Sequence, residues 1–255
     1  MPAVPPTLAA QPDPVTGAPR ILAAGDSALV VEFGETINPA LHARVIALDS
    51  ALQTTALPGV IETVPTYRSL MVCYDPGVIR GAALAGMLSK LAGQAAAAAQ
   101  PYRLWHVPVL YGGAAGLDFD DLAAIKGLTP DALIALHGSV DYRVYMIGFA
   151  PGFTYLGGVP RALHTPRLTT PRQMTPAGGI AIGGAQACVG ALPGPSGWRF
   201  LGRTPVRSFD PARADAFVFR AGDMVRFFPI GATEADALDA RAAQGEICAR
   251  FEQIG

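Results

Sequence analysis

The sequence is poor in charged residues, in lysine and in cysteine. Only 15% of its 255 residues are charged, and the net charge is −1. A typical soluble domain has roughly 25% charged residues. With 51% hydrophobic residues, the chain is not disordered as a whole, and it lacks the basic character of a general nucleic-acid binder. This composition predicts a folded, loop-rich protein of one or two domains.

Long apolar runs are also missing. The longest uncharged stretch, residues 173–198, contains seven glycines and three prolines, which are too many helix breakers for a membrane span. Residues 1–20 are rich in proline and lack the basic start and apolar core of a signal peptide, so we expect a disordered tail. Cys73, Cys188 and Cys248 are widely spaced, which predicts free thiols in a reducing compartment and a cytoplasmic location.

The few charges are unevenly distributed. Residues 142–209 contain no Asp or Glu and seven arginines, a local charge of +7 against −8 for the remainder. Arginine suits carboxylate and phosphate because its planar fork makes two parallel hydrogen bonds. These side chains therefore either pair with acids from elsewhere in the fold or line a site for an anionic ligand. They are Arg143, Arg161, Arg167, Arg172, Arg199, Arg203 and Arg207.

Hydrophobic periodicity predicts an α+β domain over residues 21–98. Residues 28–33 have the pattern of a short strand, and Asn38, followed by proline, is a typical helix start. Residues 60–64 and 70–74 are β-rich runs joined by a short turn, which predicts a hairpin. An amphipathic helix follows the hairpin.

A second domain is predicted over residues 99–232, after an alanine-rich stretch at residues 95–99 that prolongs the helix or forms a linker. The domain begins with a strand near Tyr102 and two short helices. Short apolar runs, one of them at residues 216–219, then alternate with Gly- and Pro-rich loops, which favours an antiparallel barrel or sandwich. A sequence like a capping box at Thr233 predicts a C-terminal helical tail over residues 233–255.

Several catalytic signatures are absent. Neither of the two lysines, Lys90 and Lys126, follows a GxxxxGK[ST] loop, and no GxSxG elbow occurs. The four histidines lack metal-ligand spacing, so no metal site is predicted. The strongest local pattern is the run 148–156, which is followed by the units Pro166-Arg167 and Pro171-Arg172. Proline stiffens the chain, so two guanidinium groups can point into one space. The alternative is a stiff surface loop with solvated arginines.

An ordered series of motifs resembles the family of the 5-oxoprolinase B subunit, also described as allophanate hydrolase subunit 1 or the sporulation-kinase-inhibitor family. The series covers about residues 20–230. It comprises Gly25-Asp26-Ser27-Ala28, the run 142–158, Pro166-Arg167, Pro171-Arg172, Pro176-Ala177-Gly178, the run 182–186, Gly197-Trp198, the run 201–204 and the run 222–227.

The resemblance implies an α+β N-terminal domain followed by a cyclophilin-like antiparallel β-barrel domain. It implies that the chain works with the larger C subunit and the separate A subunit of a 5-oxoprolinase. Together these proteins open the lactam of 5-oxo-L-proline to L-glutamate with ATP, which the complex binds with Mg²⁺. We expect neither nucleic acid nor membrane as a partner. The high apolar content fits a protein that docks permanently on another.

The acid-free segment and the resemblance together suggest roles for three arginines. Arg167, Arg172 and Arg203 are expected to bind phosphate or the substrate carboxylate, because cationic donors stabilise the charge that develops when a lactam oxygen is phosphorylated.

Five further residues are candidates for the same site. Gln186 is expected to donate to a carbonyl oxygen, and His137 to transfer a proton. Phe149, Gly152 and Tyr155 are expected to shape the pocket. The alternatives are an ordinary polar residue at a helix end for His137 and a core position for Tyr155.

The sequence departs from the family pattern after Gln186. Where members have Gly-(Val/Ile)-Tyr-Pro, this chain has Cys188-Val189-Gly190-Ala191, and the loss of Tyr removes an aromatic wall and a hydroxyl. The usual Ser-Pro-Gly-Gly-Trp is Gly-Pro-Ser-Gly-Trp at residues 194–198. This departure keeps open a carboxyltransferase-like module that acts on another amide or urea. The sporulation branch of the family implies a further alternative, an inhibitor of a sensor histidine kinase.

Overall fold

The computed structural model describes residues 17–94 and 101–255. The predicted tail therefore lies almost entirely outside the described residues, as does the stretch 95–99. The chain divides into two compact units, residues 1–98 and 99–255. No helix in the described part of the chain is long and apolar enough to cross a bilayer. All three cysteines are free thiols.

The first unit is an antiparallel sheet of four strands with two helices packed on one face. The strand order is β1-β2-β4-β3. The elements are β1 (Arg20–Ala23), β2 (Ala28–Glu32), α1 (Pro39–Thr55), β3 (Val60–Pro65), β4 (Ser69–Tyr74) and α2 (Gly81–Gln94). Alternate residues such as Leu29, Val31, Leu70 and Val72 point to the helices and form one core with them. The predicted hairpin, β3–β4, is confirmed.

The start of α1 agrees with the sequence prediction. The Asn38 side chain accepts a hydrogen bond from the Ala40 N–H at 2.8 Å, which satisfies one amide that the first helical turn leaves unpaired. Leu41, Val45 and Leu48 repeat at helical spacing and are fully buried. Local capping and core burial thus favour the same helix.

The second unit is built around a closed barrel of seven strands. The strands follow the order β12-β9-β10-β7-β6-β13-β5, and β12 pairs with β5 to close the wall. The strands are β5 (Tyr102–Tyr111), β6 (Tyr142–Ile147), β7 (Thr154–Gly157), β8 (Arg172–Thr175), β9 (Gly179–Gly183), β10 (Gln186–Val189), β11 (Gly194–Ser196), β12 (Arg199–Arg203), β13 (Met224–Pro229) and β14 (Arg250–Ile254). The helices are α3 (Phe119–Lys126), α4 (Pro130–His137) and α5 (Ala232–Ala242), with a 3-10 turn at Arg161–Leu163.

Three details differ from the sequence prediction. The barrel is not wholly antiparallel, because β13 runs parallel to β5, and alternating hydrophobicity does not encode strand direction. Residues 216–219 form no strand and make only an isolated bridge between Phe209 and Phe217. The helical tail ends at Ala242, and residues 250–254 form β14 beside β5, where Phe251 pairs with Trp105.

The two faces of the barrel wall carry separate hydrophobic clusters. Ile180 and Ile182 on β9 belong to the interior core, whereas Ala181 between them belongs to a separate cluster on the outward face. The same alternation on β10 places Ala187 and Val189 inside. The outward face is therefore the surface on which a site can form.

Candidate functional site

Aromatic and small side chains cover the outward face of β7, β9, β10 and β12. We call this set the outer-face cluster: Phe153, Tyr155, Ala181, Cys188, Trp198 and Phe200. The ring centres of Phe153 and Tyr155 are 4.8 Å apart, and those of Tyr155 and Trp198 are 6.2 Å apart. Tyr155, which the sequence offered as either a pocket or a core residue, is half-buried within this cluster.

Residues 165–172, which we call the strap, run across the outer-face cluster and are held by backbone bonds. Thr165 and Gly184 exchange two backbone hydrogen bonds of 3.1 and 2.7 Å. The Leu168 N–H donates to the Gly197 carbonyl at 2.7 Å. The Arg199 Nε–H donates to the Pro166 carbonyl at 3.1 Å. The strap is thus fixed on both sides of Arg167.

Arg167 lies over the outer-face cluster. Its guanidinium carbon is 4.9 Å from the centre of the Trp198 ring, a cation–π arrangement. Gly183 makes the close approach possible, because a Cβ there would lie 2.8 Å from the Trp198 ring and 3.2 Å from Arg167 Cγ. Within the described residues, Arg167 has no carboxylate partner. Its exposed N–H groups are therefore available to an anionic ligand.

Two of the three predicted anion-binding arginines are paired with acids. Arg172 makes a bidentate pair with Asp118, with N–O distances of 2.9 and 2.7 Å, and hydrogen bonding to this carboxylate raises the pKa of Arg172. Arg203 lies 2.7 Å from Asp239 on α5. The sequence left open whether these arginines pair with acids or face an anion. In the structure, Arg172 and Arg203 pair with acids, whereas Arg167 is free to face an anionic ligand.

The loop before β7 presents an exposed aromatic ring in a strained backbone conformation. Phe149 has φ +71° and is 74% exposed, and left-handed conformations are rare for bulky residues. Its ring meets Phe153 of the outer-face cluster at 5.5 Å. Gly152 also has a positive φ, and a Cβ there would lie 2.4 Å from Phe209 Cβ, so only glycine fits without a shift. The Gly152 carbonyl accepts hydrogen bonds from Thr154 and Ser208.

Gln186 begins β10 two residues before Cys188 and therefore shares the outward face with it. It is half-buried and lies opposite Gly157 on β7 and Gly183 on β9. Burial raises the pKa of the Cys188 thiol to about 12, and the nearby positive charge of Arg167 opposes this shift. The Cys188 thiol is therefore protonated, and its side chain packs within the outer-face cluster. The sequence-predicted residues Gln186, Tyr155 and Arg167 share one face of the barrel.

His137 lies elsewhere, in the interior core at the end of α4. Its side chain is fully buried and stacks on Phe227, with ring centres 4.8 Å apart. The Tyr111 hydroxyl is 2.7 Å from His137 Nδ1. Burial lowers the His137 pKa to about 3, so the imidazole is neutral near pH 7. The structure does not bring His137 to the outer-face cluster, which agrees with a polar residue that completes a helix end.

Asp118 and Phe153 belong to this region although the sequence did not single them out. Phe153 lies within the motif 148–156, and its aromatic ring in that motif is the signal from which it could have been predicted. Asp118 is 54 positions from Arg172, and no local pattern joins them. Among the described residues, no group of three or more His, Cys, Asp or Glu side chains is placed to hold a metal ion.

Sequence comparison places these features in a known family. A family model described as the carboxyltransferase domain, subdomain C and D, matches residues 19–219. The B subunit of 5-oxoprolinase from Bacillus subtilis (strain 168) is 36% identical over 217 residues, covering 81% of this chain and 90% of that protein. The B subunit of 5-oxoprolinase from Escherichia coli O157:H7 is 37% identical over 205 residues, covering 80% and 93%.

Comparison with solved structures agrees. The crystal structure of TTHA0988 is 36% identical with a TM-score of 0.72, and the match covers 80% of this chain and 40% of that one, so this chain spans about two fifths of TTHA0988. The Kluyveromyces lactis urea carboxylase is 18% identical with a TM-score of 0.74, and the match covers 92% of this chain and 24% of that one, which shows a shared fold. The resemblance seen in the motifs is confirmed, and the chain belongs to the family of the 5-oxoprolinase B subunit.

Proposed function

We propose that this chain is the B subunit of an ATP-dependent 5-oxoprolinase. In this proposal it acts with the C subunit and the A subunit of that enzyme, and the complex opens the lactam of 5-oxo-L-proline to L-glutamate. The names of the Bacillus and Escherichia relatives support the assignment. The structural observation that supports it most is Arg167, stacked on Trp198 with its hydrogen-bonding edge exposed.

Arg167 is suited to bind the anionic group of the substrate or of a phosphorylated intermediate. Its fork donates two parallel bonds to a carboxylate or phosphate, and the Trp198 ring beneath it removes water from one face. Gln186, on the same face of the barrel, is a second donor toward an amide carbonyl. These groups bind and polarise the substrate, and Tyr155 and Phe153 form the apolar wall.

We propose that ATP and Mg²⁺ bind to the assembled complex. The described residues of this chain include no carboxylate or histidine cluster that fits a metal ion. The exposed side chains of Phe149, Met174 and Leu192 lie in segments that adjoin the strap and the outer-face cluster. We propose that a partner protein of the complex covers them, because permanent interfaces are rich in apolar side chains.

A second candidate, an enzyme for another amide or urea, is favoured by Gly190. The family pattern has Tyr at this position, and a Cβ added at Gly190 would meet nothing closer than 3.5 Å. This chain therefore lacks the ring that the family pattern places there, and the missing ring is consistent with a larger amide substrate.

Coexpression with the partner proteins tests the first candidate. The complex is expected to release glutamate from 5-oxoproline only when ATP is supplied, and omission of this chain should abolish the release. Activity confined to another amide or to urea would favour the second candidate. Full activity of the partner proteins without this chain would contradict both.

A further inference from the structure

Asp118 occupies the N-cap position of α3 but does not cap the helix. An aspartate at this position ordinarily accepts a hydrogen bond from a backbone N–H of the first helical turn. The Asp118 side chain makes no such capping bond. Its carboxylate instead accepts two bonds from Arg172, at 2.9 and 2.7 Å, and one from the Phe200 N–H at 2.8 Å. The side chain is only 2% exposed. The Asp118 carboxylate therefore binds two residues distant in the sequence, Arg172 and Phe200, in place of the first turn of α3.

Each of these partners follows one member of the Arg167–Trp198 stack along the chain. Arg172 is the last residue of the strap and the first of β8. Phe200 lies on β12, two residues after Trp198, where the pairing of β12 with β9 shifts register. A second bond, from the Asp118 N–H to the Phe200 carbonyl at 3.0 Å, fixes the same point of β12. One buried carboxylate thus connects the strap to the strand that follows Trp198.

We propose that Asp118 is a positioning residue, which holds the strap so that Arg167 stays above Trp198 and faces its anionic ligand. This inference rests on the proposed function of Arg167. The other strap contacts of Thr165 and Leu168 are backbone bonds. Arg199 adds one bond to a neutral carbonyl. The bidentate, charge-assisted pair with Arg172 is therefore the strongest side-chain anchor of the strap.

The kinetic test compares Asp118→Asn with Arg167→Ala in the assembled complex. Loss of a charge-assisted anchor is expected to raise KM for the anionic substrate about tenfold and to leave kcat within about twofold. Because Asp118 acts through Arg167, Asp118→Asn should add nothing further in the Arg167→Ala background. Arg172→Gln removes the other partner and should behave like Asp118→Asn, which keeps the test valid if one variant fails to fold.

Asp223→Asn is the matched control. Asp223 is also buried, makes a bidentate pair with an arginine, Arg103, at 3.0 and 2.6 Å, and accepts a bond from a backbone N–H, that of Arg220, but none of these residues belongs to the strap. This variant should leave KM unchanged. A general loss of stability on removing an Arg–Asp pair would affect both variants, whereas loss of strap positioning affects only Asp118→Asn.

Limited trypsin digestion gives a readout that does not depend on activity. If Asp118 holds the strap, Asp118→Asn should speed cleavage after Arg167 severalfold, and cleavage after Arg241 should be unaffected. A normal KM or an unchanged cleavage rate after Arg167 would overturn the inference, as would an additive loss in the double variant. A normal KM for Arg167→Ala itself would instead overturn the anion-binding role proposed for Arg167, and the inference with it.

Discussion

The guanidinium carbon of Arg167 lies 4.9 Å from the centre of the Trp198 ring. No acid in the described part of the chain pairs with the positive charge of Arg167. Arg172 and Arg203, from the same acid-free segment, are held by Asp118 and Asp239. Of the three arginines that the sequence suggested for anion binding, Arg167 is therefore the one available at the outer-face cluster.

Shortening Trp198 should weaken ligand binding more than a comparable change in the core. An exposed cation–π contact contributes about 0.5–1 kcal/mol. Trp198→Leu is therefore expected to raise KM roughly two- to fivefold, with Trp198→Phe in between. The other tryptophan gives the control: Trp105→Phe should lower thermal stability and leave KM unchanged. An unaltered KM in Trp198→Leu would show that the ring does not orient Arg167.

Phe149 is expected to be more important for assembly than for folding. Holding a non-glycine residue at positive φ costs about 1–3 kcal/mol, and this ring is mostly exposed. Phe149→Gly should thus leave the melting temperature of the isolated chain unchanged or raise it. The same variant should bind its partner protein more weakly in calorimetry. A lower melting temperature with undiminished assembly would contradict this prediction.

His137 should make the protein less stable in mild acid. Its pKa is about 3 in the folded state because of burial, below the ordinary value of about 6.5 that it takes when unfolded. The unfolded state binds the proton more readily, so the contribution is fully present above about pH 6.5 and is lost as the pH falls toward 3. Urea denaturation at about pH 7 and about pH 5 should show a smaller difference for His137→Asn than for the parent chain. An equal loss of stability between these pH values in both proteins would contradict this prediction.

A tyrosine at position 190 should narrow the substrate range. A Cβ at Gly190 would be in ordinary contact with the Gly179 backbone, so a side chain can be attached without a clash, and the family pattern places an aromatic ring there. Gly190→Tyr is expected to lower kcat/KM for amides larger than 5-oxoproline by about tenfold or more, because the ring fills that space. Gly190→Ala adds little volume and should behave like the parent. Equal losses for small and large substrates would indicate a folding defect instead.

The sequence predicted those parts of the fold that depend on local signals. The Asn38 cap and the β3–β4 hairpin follow from residues close together in the chain, and both are confirmed. The direction of β13 and the pairing of Phe251 with Trp105 depend on which edge of β5 is free, and this is a property of the closed barrel. Periodicity alone does not contain that information.

The same division applies to the site. Arg167, Tyr155 and Gln186 were suggested as site residues because they lie in motifs, and the fold brings them to one face. Whether an arginine is neutralised depends on acids far away in the sequence, so neither Asp118 nor Asp239 was foreseen as a partner. His137 was proposed for proton transfer because of its residue type, whereas its burial depends on the packing of α4 against the barrel.

The most direct measurement is the KM for 5-oxoproline of the assembled complex with Arg167→Ala, with Arg161→Ala as the matched control. Both are exposed arginines of the acid-free segment, and only Arg167 lies on Trp198. Loss of a hydrogen bond to a charged group costs about 1.5–3 kcal/mol, so Arg167→Ala should raise KM about 10- to 100-fold, with Arg167→Lys recovering part of the loss. Arg161→Ala should match the parent. An unchanged KM in a well-folded Arg167→Ala complex would contradict anion binding at this site.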